Sequence, residues 1–428
     1  MPETTDTWAN VPEAPPDRCV LAPVHPLTHS ILAIAADFQR DTSEKKANLG
    51  VGAYRDENGK PWVLPAVHQA EEKLLRDPNA NHEYLPMEGY HPFTRAAAEF
   101  LFGADAKALK EGRVVSNQTL SGSGACHVAA VFLGRFYPFP GGKKQIYVSD
   151  PTWPNHYGIF GGAGLDLVKY RYYDAKTRSL DFSGMTDALR AVPDRSVVVL
   201  HACAHNPTGV DPSKEQWREL LKLFQEKNLF AFFDCAYQGF ASGDPEQDAF
   251  SLRLFEESGV NMVVCQSFAK NAGLYGERVG AVHFIVARPA EGASVRSQVN
   301  TINRSEFSTP PAYGARLVHL ILTDPQLRAQ WFRDVKTMAG RIIDMRERLY
   351  DLLVNKYKTP GSWEHIKDQT GMFSYLGLDE VQCQRLMDDG HIYLTKTSRV
   401  SMAGFNKSNV DYIASWIDKV VRGGSTRL

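Results

Sequence analysis

Val263-Val264-Cys265-Gln266-Ser267-Phe268-Ala269-Lys270-Asn271-Ala272-Gly273-Leu274-Tyr275-Gly276-Glu277-Arg278-Val279-Gly280 sets a lysine between two apolar runs, with an arginine eight residues further on. An unpaired ammonium is costly to bury, so a lysine at the end of a buried strand either finds a partner or loses its charge. A desolvated, neutral lysine is a nucleophile that condenses with a carbonyl. Ser267 and Arg278, on either side of Lys270, are residue types that hold a phosphate. The plainer alternative is a lysine that caps the strand and extends its ammonium into water. This stretch alone leaves both open.

Around it the chain alternates strands and helices, the pattern of a mostly parallel α/β sheet. Gln145–Ser149 reads as a strand ending at Asp150-Pro151-Thr152-Trp153-Pro154-Asn155-His156, and Ser196–Leu200 as another ending at His201 to Gly209. Leu229–Phe233 ends at Asp234-Cys235-Ala236-Tyr237, and Met262–Cys265 ends at Ser267 and Lys270. Ligands of open α/β sheets bind beyond the carboxyl ends of the strands, and every one of these ends carries polar or aromatic chemistry.

The ends suit a pyridine ring. Asp234, closing an almost wholly apolar strand, needs a cation, and a protonated pyridine nitrogen is one. Trp153 could stack on the ring face, while Asn206 and Tyr237 could hydrogen-bond a phenolic oxygen on it. Taken singly, these residues also read as a strand-capping aspartate, a core tryptophan, an Asn-Pro turn and a packed tyrosine. Their coincidence with a strand-end lysine favours the functional reading. Small residues at Ser121-Gly122-Ser123-Gly124 open a helix whose free N–H groups attract an anion. His201 and His205 have a metal-like interval, but no cysteine or carboxylate set lies near them in sequence. They read as supporting or core histidines, and no metal is expected.

Composition bounds the remaining possibilities. At 428 residues the chain exceeds one ordinary core and predicts two domains. A hydrophobic content of 43%, a charged content of 23% and a net charge of -1 argue against nucleic-acid or anionic-membrane binding. The six cysteines show no paired metal spacing and read as reduced core thiols. Met1 to Asp17 is acidic and proline-rich, unlike a transit or signal peptide, so a cytoplasmic location is expected. Thr426-Arg427-Leu428 is a loose cousin of the peroxisomal Ser-Lys-Leu address and is read as coincidence. Alternate glycines in Asn48-Leu49-Gly50-Val51-Gly52 mark either a bend or a close approach to the backbone. From Arg316 the apolar spacing predicts one long, kinked helix.

The Ser267–Gly280 segment resembles the cofactor attachment stretch of aspartate aminotransferases, in the class I aminotransferase family of fold type I. Asn48–Arg55, His82–Pro86, Asp150–His156, His205–Gly209, Asp234–Phe240 and Arg304–Pro311 resemble that family's other segments in the same order. The resemblance implies a large pyridoxal-phosphate-binding domain at 61–337, a smaller α/β domain from 28–60 and 338–428, and an N-terminal arm at 1–27 across a partner subunit. It implies pyridoxal 5′-phosphate as cofactor and a ping-pong exchange of amino groups between L-aspartate and 2-oxoglutarate. Lys270 would form the Schiff base and move the proton. Asp234, supported by His156, would pair with the ring nitrogen, and Tyr237 and Asn206 would tune the phenolic oxygen. Ser121, Gly122, Ser123, Ser267 and Arg278 would hold the phosphate, joined by Tyr84 of a second subunit in a homodimer. Gly52, Trp153, Asn206 and Arg399 would bind substrate, Arg399 gripping the α-carboxylate. Arg304 and Ser308, within an Arg-x-x-x-Ser-x-Pro-Pro pattern, would serve the distal carboxylate of the neighbouring subunit's site.

Three positions depart from the family's pattern: Ser123 stands for threonine, Gly276 for asparagine, and Thr309 for asparagine beside Arg304. Relatives of similar sequence accept aromatic side chains, so an aromatic or broad-specificity aminotransferase is the alternative within the family, and an inactive relative of the fold lies outside it. A nicotinamide enzyme is disfavoured, because Ser121-Gly122-Ser123-Gly124 lacks the spaced glycine fingerprint and its downstream acid.

Overall fold

Seven strands form one sheet: β1 Val114–Leu120, β2 Gln145–Asp150, β3 Asp166–Arg171, β4 Val197–His201, β5 Phe230–Cys235, β6 Met262–Ser267 and β7 Val279–Ile285. Their spatial order is β1-β7-β6-β5-β4-β2-β3, and every pairing is parallel except the two that β7 makes. The computed structural model describes residues 31–423, so the expected arm at 1–27 and the Thr426-Arg427-Leu428 terminus lie outside the described residues.

Side chains alternate across a strand, and here both faces are covered. Val197, Val199 and Phe232 join one apolar cluster, while Val198, Leu200, Ala231 and Phe233 join another. A sheet dry on both faces needs near-continuous apolar strands, the signal that made β4, β5 and β6 readable. β1 meets the same burial with polar side chains: Asn117, Gln118 and Thr119 are fully buried. Asn117 donates to Asn300 Oδ1 at 2.9 Å, and Gln118 donates to the Pro311 carbonyl at 2.7 Å while accepting from the Tyr90 amide at 2.9 Å.

Four helices matter for the site and its frame: α1 Ser121–Phe136, α2 Asn155–Gly162, α3 Gly292–Glu306 and α4 Pro325–Asp351. α1 starts where β1 ends, with Ser121 in the left-handed region at φ 60°. Gly280 of β7 passes so close that a Cβ there would sit 2.7 Å from Ser121 Cα, which excludes any side chain.

The single kinked helix expected from Arg316 is two helices, Ala312–Thr323 and α4. Pro325 lacks the N–H that would continue the first helix, and it holds Asp324 extended at φ -83°, ψ 119°. The Asp324 carboxylate then caps α4, accepting from the amides of Gln326 and Leu327 at 2.8 and 3.1 Å. α4 runs 27 residues and buries Trp331, Val335, Met338, Ile342, Met345 and Leu349 at alternating spacings of four and three. The boundary expected at 337/338 falls inside this helix. Beyond it, Phe373–Tyr375 pairs with Arg399–Ser401, and Ala47–Asn48 pairs with Ile392–Tyr393, joining the two ends of the described chain. No helix among the described residues is long and apolar enough to cross a membrane.

Candidate active site

The carboxyl ends of β1, β2, β4, β5 and β6 open on one edge of the sheet, where a cavity of about 230 Å³ lies. Lys270, Asp234, Tyr237, Trp153, Asn206 and Arg399 line it. So do Gly52, Ser121, Gly122, Ser123, Ser267 and Arg278. Residues from Ser121 to Arg278 thus meet because parallel strands share one end, while Gly52 and Arg399 reach the cavity from outside that sheet.

Lys270 lies in the turn that follows β6, where the Gly273 amide donates to its carbonyl at 3.0 Å. Its Nζ stands 5.0 Å from the centre of the Tyr237 ring. Burial lowers its pKa, the Arg278 charge adds to that, and Asp234 opposes both; the net shift is downward, toward the neutral amine.

Asp234 sits between His201 and Cys265 in the sheet register, only 6% exposed. Burial alone would raise its pKa, but His156, His201 and Lys270 outweigh it and hold the carboxyl below its ordinary value. His156, at the start of α2, places Nε2 3.3 Å from Asp234 Oδ2 while Nδ1 meets Thr152 Oγ1 at 2.8 Å. His201 stacks on His156 with centroids 5.5 Å apart, and burial pushes its pKa down to about 4. His205, which faces Ser149 and Thr208 at 2.9 and 2.8 Å, supports the β4 turn and does not line the cavity.

At the opposite end of the cavity the hydroxyls of Ser121 and Ser267 meet at 2.9 Å. Gly122 faces them, and a Cβ on it would approach Ser267 Cβ to 3.1 Å. The first N–H groups of α1 and the exposed Arg278 therefore surround a small polar pocket, a fit for an anion. Arg399 is 3% exposed and meets no carboxylate; its Nη2 donates to the Gly50 carbonyl at 2.7 Å and its Nε has no partner. Burial lowers its pKa, with Tyr237 and Tyr375 opposing.

Asn206 Oδ1 is likewise buried without a partner. Such orphaned groups cost about 1–3 kcal/mol each and mark a site shaped for an occupant. A lysine at its centre, a carboxylate beneath, an anion pocket at one end and an unpaired guanidinium at the other fit pyridoxal phosphate with a carboxylate-bearing substrate. Lys270, Asp234, Asn206 and Tyr237 would hold its ring, and Ser121, Gly122, Ser123, Ser267 and Arg278 its phosphate.

Four residues assigned by resemblance do not line this cavity: His156, which meets it only through Asp234, and Tyr84, Arg304 and Ser308. Tyr84 is 83% exposed, and Arg304, near the end of α3, is exposed with its Nη1 on Ser308 Oγ at 2.6 Å. Two residues of the site escaped the sequence reading. Phe373 lies beneath Arg399, whose Cζ is 4.4 Å from the ring centre, and meets Tyr237 edge-on at 5.9 Å. Tyr275 accepts from the Tyr54 amide at 2.8 Å. Tyr275 stands within the Lys270 stretch, where its position was the available signal; Phe373 carries none.

Comparison with known proteins was consistent with this geometry. The family model described as aminotransferase class I and II matches residues 44–417. The mitochondrial aspartate aminotransferase of Gallus gallus is 47% identical over 418 residues, covering 97% of this chain and 94% of the relative. Among solved structures, the aspartate aminotransferase from Saccharomyces cerevisiae cytoplasm superposes with a TM-score of 0.91 at 45% identity, over 97% of this chain and 99% of that one. The broad specificity aminotransferase from Leishmania mexicana superposes with a TM-score of 0.88 at 44% identity, over 94% and 96%.

Proposed function

This chain belongs to the class I and II aminotransferases, and from that membership we propose that it exchanges amino groups between L-aspartate and 2-oxoglutarate, yielding oxaloacetate and L-glutamate. It is a pyridoxal-phosphate-dependent enzyme acting on amino and 2-oxo acids. The observation that carries the dicarboxylate reading is that Lys270, Asp234 and Arg399 line one cavity while Arg304 offers a second guanidinium outside it.

Pyridoxal phosphate, when bound, supplies an electron sink for the pair left behind as a Cα–H bond breaks. The chain's own residues do the rest. Asp234, held ionised by His156, stabilises a cation at the floor of the cavity. Trp153 would cover a face of the bound ring and exclude water from it, and Asn206 and Tyr237 would hydrogen-bond its phenolic oxygen. Arg399 takes the α-carboxylate as a fork, which orients Cα toward Lys270 Nζ. Lys270, with its lowered pKa, takes the Cα proton and returns it on the other side of the exchange.

A substrate with two carboxylates needs two cations, and the second comes from a partner. Arg304 with Ser308, and Tyr84 toward the phosphate, reach the neighbouring subunit's cavity in a homodimer; the exposure of Tyr84 and Arg304 in a single chain supports this. Thr309 stands where the family has asparagine beside Arg304. The composition of Met1 to Asp17 supports a cytoplasmic location, and mitochondrial fluorescence of a carboxyl-terminal fusion would overturn it.

The deciding experiment adds excess L-aspartate, without oxo acid, to the purified protein. The cofactor's visible band should bleach with stoichiometric release of oxaloacetate. A band that ignores aspartate and responds to phenylalanine would favour the broad-specificity reading, which the likeness to the Leishmania mexicana enzyme supports. No band after cofactor addition would overturn both.

A further inference from the structure

Cys126 reads in the sequence as a core thiol, yet the fold carries it beside Asp234, which lines the cavity. It lies on α1, fully buried, and its Sγ, a ring nitrogen of His156 and a carboxylate oxygen of Asp234 all lie within 4.8 Å of one another. The three donors come from α1, α2 and β5, so three separate elements converge on one point. His201 adds a fourth. Its Nε2 is 4.0 Å from Asp234 Oδ2, its side chain is 6% exposed, and neither of its ring nitrogens has a hydrogen-bond partner.

We propose that Cys126, His156 and Asp234, with His201 as fourth donor, bind a thiophilic divalent cation of the zinc class when the cofactor is absent. One sulfur, two imidazole nitrogens and one carboxylate make a tetrahedral zinc set. A thiolate and a carboxylate together neutralise the doubly charged ion, which makes its burial affordable. Ligand atoms around zinc sit about 3–4 Å apart, so Cys126, His156 and Asp234 close in by roughly 1 Å on binding. The proton balance is simple. Cys126 releases its thiol proton to solvent as the metal–sulfur bond forms. His156 ligates through Nε2, which gives up the N–H it otherwise points at Asp234; that proton shifts to Nδ1, where Thr152 Oγ1 at 2.8 Å accepts it.

Asp234 lines the cavity, so the ion has a route in from that side. The inference rests on the preceding reading in one respect: there Asp234 pairs with the cofactor's ring cation, so the two cations exclude each other. Zinc thereby becomes an antagonist of cofactor loading rather than a part of the enzyme.

Cobalt(II) titrated into the cofactor-free, full-length chain tests this directly. Tetrahedral visible bands and a near-ultraviolet thiolate-to-cobalt absorption are expected. Both should disappear on adding zinc, in Cys126→Ala, and in protein preloaded with pyridoxal phosphate. Cys265→Ala, which removes the thiol beside Cys126, should keep them. Zinc at about ten times its dissociation constant should weaken the apparent affinity for cofactor about ten-fold in the parent and leave that of Cys126→Ala unaffected. Cofactor uptake by Cys126→Ala also reports that the variant is folded, and Cys126→Val is the alternative if it is not. Absence of the thiolate absorption, its persistence in a folded Cys126 variant, or its indifference to cofactor would overturn the proposal. Failure of metal-free protein to take up cofactor would instead overturn the enzymatic reading, and the cobalt spectra would still decide whether the site exists.

Discussion

His156 Nε2 lies 3.3 Å from Asp234 Oδ2, and both side chains are buried. Thr152 fixes the other ring nitrogen at 2.8 Å, so the imidazole is held from both sides and points its N–H at the carboxylate. A buried carboxylate would ordinarily take up a proton; this one stays ionised because the imidazole donates to it and the lysine faces it. The charge is therefore built into the protein before any ligand arrives.

Asp234→Asn keeps the shape and removes that charge. The turnover number should fall at least about 100-fold, the size of a lost preorganised contact in a water-excluded site. Because Asp234 opposes the downward shift of Lys270, the same variant should titrate Lys270 lower still, measured by acylation of the amine in cofactor-free protein. A fall of less than about ten-fold, equivalent to some 1.4 kcal/mol, would remove Asp234 from the centre of the mechanism.

Gly52→Ala tests how the Arg399 fork is supported. A Cβ at Gly52 would come within 2.9 Å of Phe373 Cζ, and Phe373 is the ring on which the Arg399 guanidinium rests. Pushing that ring aside misaligns the fork, and kcat/KM should drop about ten- to 100-fold for amino and oxo acids alike. Unchanged kinetics would mean that Phe373 yields without disturbing Arg399.

Acid stability follows from buried histidines. His201 and His365 are held at about 4 and His283 at about 3, against an ordinary value of 6.5, each chiefly by burial. The unfolded chain therefore binds more protons below pH 6.5, and stability falls as the pH drops from there toward 4. Each histidine contributes a slope of up to about 1.4 kcal/mol per pH unit in that window. Asp248 has the opposite sign: raised to about 6 by burial, it favours the folded state most below pH 3.8 and loses this as pH rises through 6, offsetting part of the slope. Urea unfolding between pH 7 and pH 4 should show the net decline, and His283→Gln should flatten it. A profile flat across this window would contradict the neutral burial of these rings.

What the sequence reveals depends on how a residue meets its burial. β4, β5 and β6 are legible because a strand dry on both faces must be apolar, and the chemistry at their ends is legible because Lys270 and Asp234 are costly where they stand. β1 hides its strand character behind Asn117, Gln118 and Thr119, whose burial is permitted by partners as distant as Asn300 and Pro311. β7 follows directly on the Lys270 stretch, and nothing local announces that it turns back antiparallel between β1 and β6. Phe373 supports a charge through its ring alone, so only the fold assigns it a role. Cys126 looks like any core thiol until α1 sets it beside His156 and Asp234.

The proposed division of labour between two subunits gives the sharpest test. Lys270→Ala removes the proton carrier and should abolish turnover; Arg304→Asp replaces the distal fork by a repulsive charge and should abolish activity on dicarboxylates. Each homodimer is then inactive toward aspartate. In a hybrid dimer, the cavity that keeps Lys270 belongs to the Arg304→Asp chain and receives an intact Arg304 from the Lys270→Ala chain. One of its two sites is whole, so hybrids purified through two different tags should recover about half the parent activity. If Arg304 served its own chain's cavity, neither site of the hybrid would be complete and no activity would return. Arg304 is exposed, bonded to Ser308 and absent from the cavity lining of its own chain, the arrangement that complementation in trans requires.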